Sequence, residues 1–231
     1  MPMNRSRPSA SGLPSRGRRA WVATSASAAV ISVLLPLRAL AGDERMTYIE
    51  YHVLASSIAP DSFDGARRKL WRLGDGKLRL EEPLNPKNGA QTLLVANLPD
   101  AWLVDRARGK GSHMTDPGPT YNVVFPVFQV GAPVALNSLQ MGREKAFLES
   151  RGTAGAADEV IEGKPCKVLT WELDDTSVKL WVDAGSNVPR QISMRTPQVE
   201  YAIRYDVYRT DLVPDVALFA KPEGVEIVER R

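Results

Sequence analysis

Beyond residue 46 apolar and polar residues alternate with a period of two, the pattern of strands with one buried face. In residues 48–54, Ile49, Tyr51 and Val53 share one face while Glu50 and His52 take the other. Residues 66–73 and 77–82 flank Gly74-Asp75-Gly76, a turn of the kind a tight hairpin needs, with Leu78 and Leu80 pointing one way and Lys77, Arg79 and Glu81 the other. A second hairpin is expected from 92–96 through Asn97-Leu98-Pro99-Asp100 into 101–106, with Trp102 and Val104 on one side. Strands resume at 158–161, 167–173, 177–182, 189–195 and 198–209, separated by turns at Glu162-Gly163, Asp174-Asp175 and Gly185-Ser186-Asn187. This spacing predicts a meander of antiparallel hairpins.

Three stretches break the alternation. Residues 109–119 are rich in Gly and Pro and read as a connection. Residues 121–130 are strongly apolar, with Phe125 and Phe128 prominent, but Pro126 points to an edge, a bend or a lid. Residues 135–150 place Leu136, Leu139, Phe147 and Leu148 near helical spacing, with Gly152 as a stop, and predict the single good helix. The expected fold is therefore mainly β (α+β), a curved antiparallel sheet or incomplete β-barrel with a small helical plug or lid. One sheet face must be covered, and a single helix covers it only in part, which would leave an apolar cleft. The same residues, Leu169, Trp171 and Leu173 or Val178, Leu180 and Val182, serve equally well as a closed sandwich core.

The amino-terminal segment has a different character. Arg5, Arg7, Arg16, Arg18 and Arg19 precede an apolar stretch over 21–37, and Ala39-Leu40-Ala41 supplies a small-residue cleavage site, the layout of an export signal cut after Ala41. The stretch is short and too polar for a comfortable membrane span, so a retained anchor is the lesser alternative. The Arg18-Arg19 pair fits a twin-arginine signal and an ordinary one equally. Residues 42–231 would then form one exported, periplasmic domain. The segment also carries the chain's excess basicity. It holds six of the 30 basic residues and no acidic one, so the remainder has 24 basic against 27 acidic residues, a formal net charge of −3. Without runs of Lys or Arg, that remainder offers no electrostatic footprint for nucleic acid.

The candidate chemistry is thin. Cys166 is the one cysteine, so no intramolecular disulfide forms, and with no second cysteine or neighbouring histidine it reads as structural. His52 and His113 are the two histidines and lie in different elements, without metal-ligand spacing. A G-x-S-x-G elbow is absent. Gly109-Lys110-Gly111-Ser112 lacks the spacing of a phosphate loop, and Asp174-Asp175 is ordinary turn chemistry. No enzyme, metal or cofactor is expected from these residues.

Several short pieces carry a resemblance: Gly163-Lys164-Pro165-Cys166-Lys167-Val168-Leu169, Lys179-Leu180-Trp181-Val182-Asp183, Val188-Pro189-Arg190-Gln191-Ile192, then Pro214-Asp215, Leu218-Phe219 and Pro222-Glu223-Gly224-Val225. In this order and spacing they resemble the periplasmic lipoprotein-carrier (LolA-like) superfamily, of the outer-membrane lipoprotein-sorting type. The resemblance implies an antiparallel half-barrel round a helical plug. Its apolar cavity would take acyl chains of a lipid or acylated protein, without catalysis and with transient membrane-surface contact. An envelope protein partner, sensed rather than transported, is the alternative for the same fold. The implied cavity face comprises Tyr51, Leu78, Leu80, Trp102, Trp171, Leu180, Val182 and Tyr205. The carriers of this superfamily open with an amphipathic helix that lids the cavity, whereas residues 46–54 go directly into a strand; residues 125–130 and the 135–150 helix would have to substitute.

Overall fold

The computed structural model describes residues 44–115, 125–128, 132–152 and 154–230, so the segment read above as an export signal lies outside the described residues, as do 121–124, 129 and 130 of the apolar stretch. Among the described residues twelve strands form one open sheet. The first six are β1 (Met46–Leu54), β2 (Arg68–Leu73), β3 (Lys77–Leu84), β4 (Gln91–Asn97), β5 (Asp100–Asp105) and β6 (Lys110–Thr115). The helix α1 (Glu144–Glu149) intervenes before β7 (Ala154–Ile161), β8 (Lys164–Leu173), β9 (Thr176–Asp183), β10 (Pro189–Arg195), β11 (Glu200–Leu212) and β12 (Glu226–Glu229).

The spatial order is β12-β6-β5-β4-β3-β2-β1-β11-β10-β9-β8-β7. Two meanders, β1 to β6 and β7 to β11, are thus fused through the β1–β11 ladder. In that ladder Ile49 faces Tyr208, Tyr51 faces Tyr205 and Val53 faces Ile203, all antiparallel. Local hairpins are visible in an alternating sequence; a ladder joining residue 49 to residue 208 is not. Strand β12 then returns to pair in parallel with β6, Glu226 opposite Lys110 and Glu229 opposite His113.

Period-two alternation gives the sheet two apolar faces. The larger core carries Ile49, Leu70, Leu78, Leu80, Leu180, Ile192, Met194 and Ile203 against a plug contributed by residues 125–128 and 132–148. The opposite face carries smaller clusters: Leu93, Val95, Trp102 and Val104 under Val225 and Ile227, then Met46, Leu73 and Phe219, then Cys166, Val168 and Trp181.

Two expectations for secondary structure are corrected. The helix over 135–150 is instead a 3-10 turn at Val134–Leu136 and the short α1. Between them Gln140 bridges Pro126, and Gly142 adopts φ +85°, a left-handed conformation that no α-helix continues through. The Gly-rich connection over 109–119 in fact includes β6. Gly111 belongs there because a Cβ would come within 2.7 Å of Val104 Cγ2 and 2.8 Å of the Leu103 carbonyl oxygen. Its glycine reflects close strand packing.

Candidate functional site

Among the described residues the plug leaves part of the larger apolar face open, and that part is a groove. Cross-strand rows locate it. Leu78, Arg72 and Thr47 stand side by side across β3, β2 and β1, and the next row outward is Leu80, Leu70 and Ile49. Beyond these come Arg68 and Tyr51, then Val53 with Ile203. Gly142 of the plug lies over the innermost row; a Cβ there would sit 3.6 Å from Arg72 Cδ and Thr47 Cγ2 and 3.9 Å from Ile49 Cδ1. From Tyr51 outward the sheet faces a groove of about 1010 Å³, walled by Val53, Leu80, Leu94, Tyr201 and Ile203 on the sheet side and by Phe125, Val127 and Met141 on the plug side. That volume is at the upper end of the roughly 300–1,000 Å³ usual for small-molecule sites.

The mouth is polar. Arg68 Nε donates to Glu82 Oε1 at 3.1 Å, and its guanidinium also donates to the carbonyls of Phe63, Asp64 and Ala66. Asp64, Glu200, Ser56 and Ser57 stand nearby in the lining, and Ile58 adds an apolar lip. The lining holds neither histidine nor cysteine.

The inner end of the groove is fixed by a buried polar network that sequence reasoning missed. Glu144, at the start of α1, is fully buried. Its carboxylate accepts from the Tyr205 hydroxyl at 2.9 Å, the Tyr208 hydroxyl at 2.8 Å and the Gly142 N–H at 2.9 Å. Burial raises its pKa against the lowering effect of those donors, and burial followed by the Glu144 charge raises both tyrosines well above the ordinary phenol value. Arg72, 4% exposed, reaches into the plug from the sheet, donating to the Met141 carbonyl at 3.1 Å and to Gln140 Oε1 at 2.7 Å. A charge in the inward, apolar phase of β2 was the available sequence signal. For Glu144 there was none, since it opens a surface-like turn.

Of the residues expected to share one cavity face, Tyr51 and Leu80 line the groove. Leu78, Leu180, Val182 and Tyr205 belong to the same core but are buried beneath the plug, and Trp171 packs half-buried against it. Trp102 is a correction: alternation with Ala101 turns it to the opposite face, where it packs with Leu93, Val95 and Val104 and stacks on His113 at 5.2 Å. Leu94, Ile203, Phe125 and Met141 line the groove instead, legible only once the rows are aligned.

Both histidines lie outside the groove lining. His52 Nδ1 is 2.9 Å from Asp206 Oδ2, which also accepts from Arg67 Nε at 3.1 Å. His113 is held at Nε2 by Asp100 at 2.8 Å and at Nδ1 by Glu229 at 2.5 Å, which ties β6 to β12; these carboxylates, Glu229 foremost, raise its pKa. Cys166 is buried, and burial pushes its thiol up. Among the described residues no group of three or more His, Cys, Asp or Glu is placed to hold a metal, and no helix is long and apolar enough to cross a membrane.

No family model matches the chain, and no curated protein matches its sequence. Solved structures with similar folds include an uncharacterized conserved protein from Thermus thermophilus, at 8% identity over 81% of this chain and 91% of that one, with a TM-score of 0.47. MucB is similar at 12% identity over 82% of this chain and 62% of its own, with a TM-score of 0.44, so the chain spans less than two thirds of MucB. A LolA superfamily protein from Nitrosomonas europaea is similar at 12% identity over 78% and 90%, with a TM-score of 0.30.

Proposed function

We propose that this protein is an exported, noncatalytic binding protein of the bacterial envelope that shelters an acyl chain, from a lipid or an acylated protein, in the groove of its half-barrel. Such a protein would serve outer-membrane lipoprotein sorting or envelope lipid traffic from the periplasm. The observation that supports this reading is the groove itself, whose walls are mainly apolar, from Tyr51, Leu80, Leu94, Phe125, Met141 and Ile203, with Asp64, Arg68, Glu82 and Glu200 as its charged lining. About ten buried methylenes would contribute about 8 kcal/mol, the scale of a micromolar dissociation constant before ordering costs.

The test is titration of the purified domain with a fluorescent fatty acid. Saturable binding that falls at least tenfold in Leu94→Asp, with the circular dichroism unchanged, is the expected result. Absence of saturable binding in the wild-type protein overturns the reading. One observation favours a second reading, a protein-binding module. Strand β7 ends the sheet with a partner on one side, and its Val160 is 68% exposed, the form of an edge that accepts an added strand. Peptide binding that protects the β7 amides without engaging the groove would favour it.

A further inference from the structure

We propose that Met141 is the inner stop of the groove and sets the length of apolar chain it accepts, with Arg72 and Glu144 as the positioning residues that hold it there. This inference rests on the reading of the groove as an acyl-chain site.

Three observations converge on Met141. First, it stands at the axial limit of the groove. Its neighbour Gly142 lies over Thr47, Ile49 and Arg72, the rows that the plug has closed, while Tyr51 and Val53, further along the same strand, line open space. A chain running inward over Val53 and Ile203 and then between Tyr51 and Arg68 is directed toward Ile49, where Gly142 and the neighbouring Met141 close the way. Second, the Met141 backbone is fastened on both sides. Its N–H donates to the Phe125 carbonyl at 2.9 Å, and its carbonyl accepts from the buried Arg72 guanidinium at 3.1 Å. The Val127 N–H in turn donates to the Leu139 carbonyl at 3.0 Å, so residues 125–127 and 139–141 form one paired wall. Third, the same Met141–Gly142 peptide is also held from its other side, because the Gly142 N–H donates to Glu144, whose carboxylate is anchored to the sheet by Tyr205 and Tyr208.

The placement of these polar groups is otherwise costly. A buried arginine and a buried carboxylate are weak contributors to stability compared with apolar residues of the same volume, and their best-attested use is to fix one arrangement among several. Here the arrangement they fix is the depth of the plug. Met141 is itself only 1% exposed, so the stop is a packed side chain, and its unbranched thioether fills the floor of the groove without a void.

The experiment is competition of saturated fatty acids of increasing length against a fluorescent fatty acid, on the wild-type domain and on Met141→Ala, Met141→Leu, Met141→Phe and Tyr208→Phe. In the wild-type protein affinity is expected to rise about fourfold per added methylene and then level off where the chain reaches the stop. The plateau moves to longer chains in Met141→Ala and to shorter ones in Met141→Phe; should the larger side chain prevent folding, Met141→Ala and Met141→Leu decide the matter. Tyr208→Phe removes one of the two tyrosine anchors of Glu144 and is expected to blunt the plateau relative to the wild-type length profile. Length profiles that superimpose in all variants overturn the stop while leaving the groove reading intact. Failure of the wild-type protein to bind any of the acids overturns both.

Discussion

The Tyr205 hydroxyl, on the central strand β11, donates across 2.9 Å to the carboxylate of Glu144, the first residue of the only α-helix among the described residues. This bond joins sheet to plug at the point where the groove ends. Glu144 is shared with Tyr208 and the Gly142 N–H, and Arg72 secures the adjoining Met141 carbonyl, so plug depth rests on a small set of polar contacts inside an apolar core.

The pH dependence of stability should carry the mark of Glu144. Its pKa is raised in the folded state by burial, so from the ordinary carboxylate range upward the folded protein binds more protons at this site than the unfolded chain. The stability tied to this proton is complete at low pH and is lost as pH rises through the raised value. Arg72, Tyr205 and Tyr208 are the charged and titratable groups facing it and are expected to keep their protons throughout. Thermal unfolding between about pH 4 and pH 8 should therefore show the wild-type protein losing ground against Glu144→Gln as pH rises. Parallel pH profiles for the two proteins would contradict this assignment.

Trp102 and Leu94 should separate stability from binding. Trp102, buried on the face opposite the groove, is expected to cost about 3–5 kcal/mol on replacement by Ala while leaving fatty-acid affinity unchanged. Leu94→Asp, on the groove wall, should do the reverse. Denaturant unfolding paired with a binding titration on the same samples checks both; loss of binding in Trp102→Ala would return that residue to the cavity face.

His113 should govern the attachment of β12. Glu229 and Asp100 raise its pKa, so the stabilisation is complete below the ordinary imidazole range and is lost as pH climbs through the raised value. Amide protection factors for residues 226–230 should fall over that window in the wild-type protein. In His113→Gln they should be low throughout and insensitive to pH. Hydrogen exchange followed by mass spectrometry, corrected for intrinsic rates, is the measurement. Unchanged protection in His113→Gln would show that β12 is held by its ladder to β6 alone.

Most strands were legible in the sequence because period-two alternation and the turns at Gly74-Asp75-Gly76 and Asp174-Asp175 are local signals. The β1–β11 ladder was not, since Tyr51 and Tyr205 are paired by a contact that no local pattern encodes. Residues 110–115 hid as a strand because Gly111 is there for contact with Val104 rather than for chain freedom. The inward phases of β1, β3 and β9 did identify core residues such as Leu78 and Leu180, but alternation alone could not say which of the two faces the groove occupies. Trp102 was assigned to the wrong one for that reason. The network of Arg72 and Glu144 depends on where the plug seats, which is set by tertiary packing.

Native mass spectrometry of the domain purified from a bacterial periplasm would read out at once whether the groove holds an acyl chain. The expected result is a population carrying the extra mass of a phospholipid or acylated peptide, identified after extraction and lost in Leu94→Asp. A uniform apo mass, together with no uptake of added fatty acid, would contradict it.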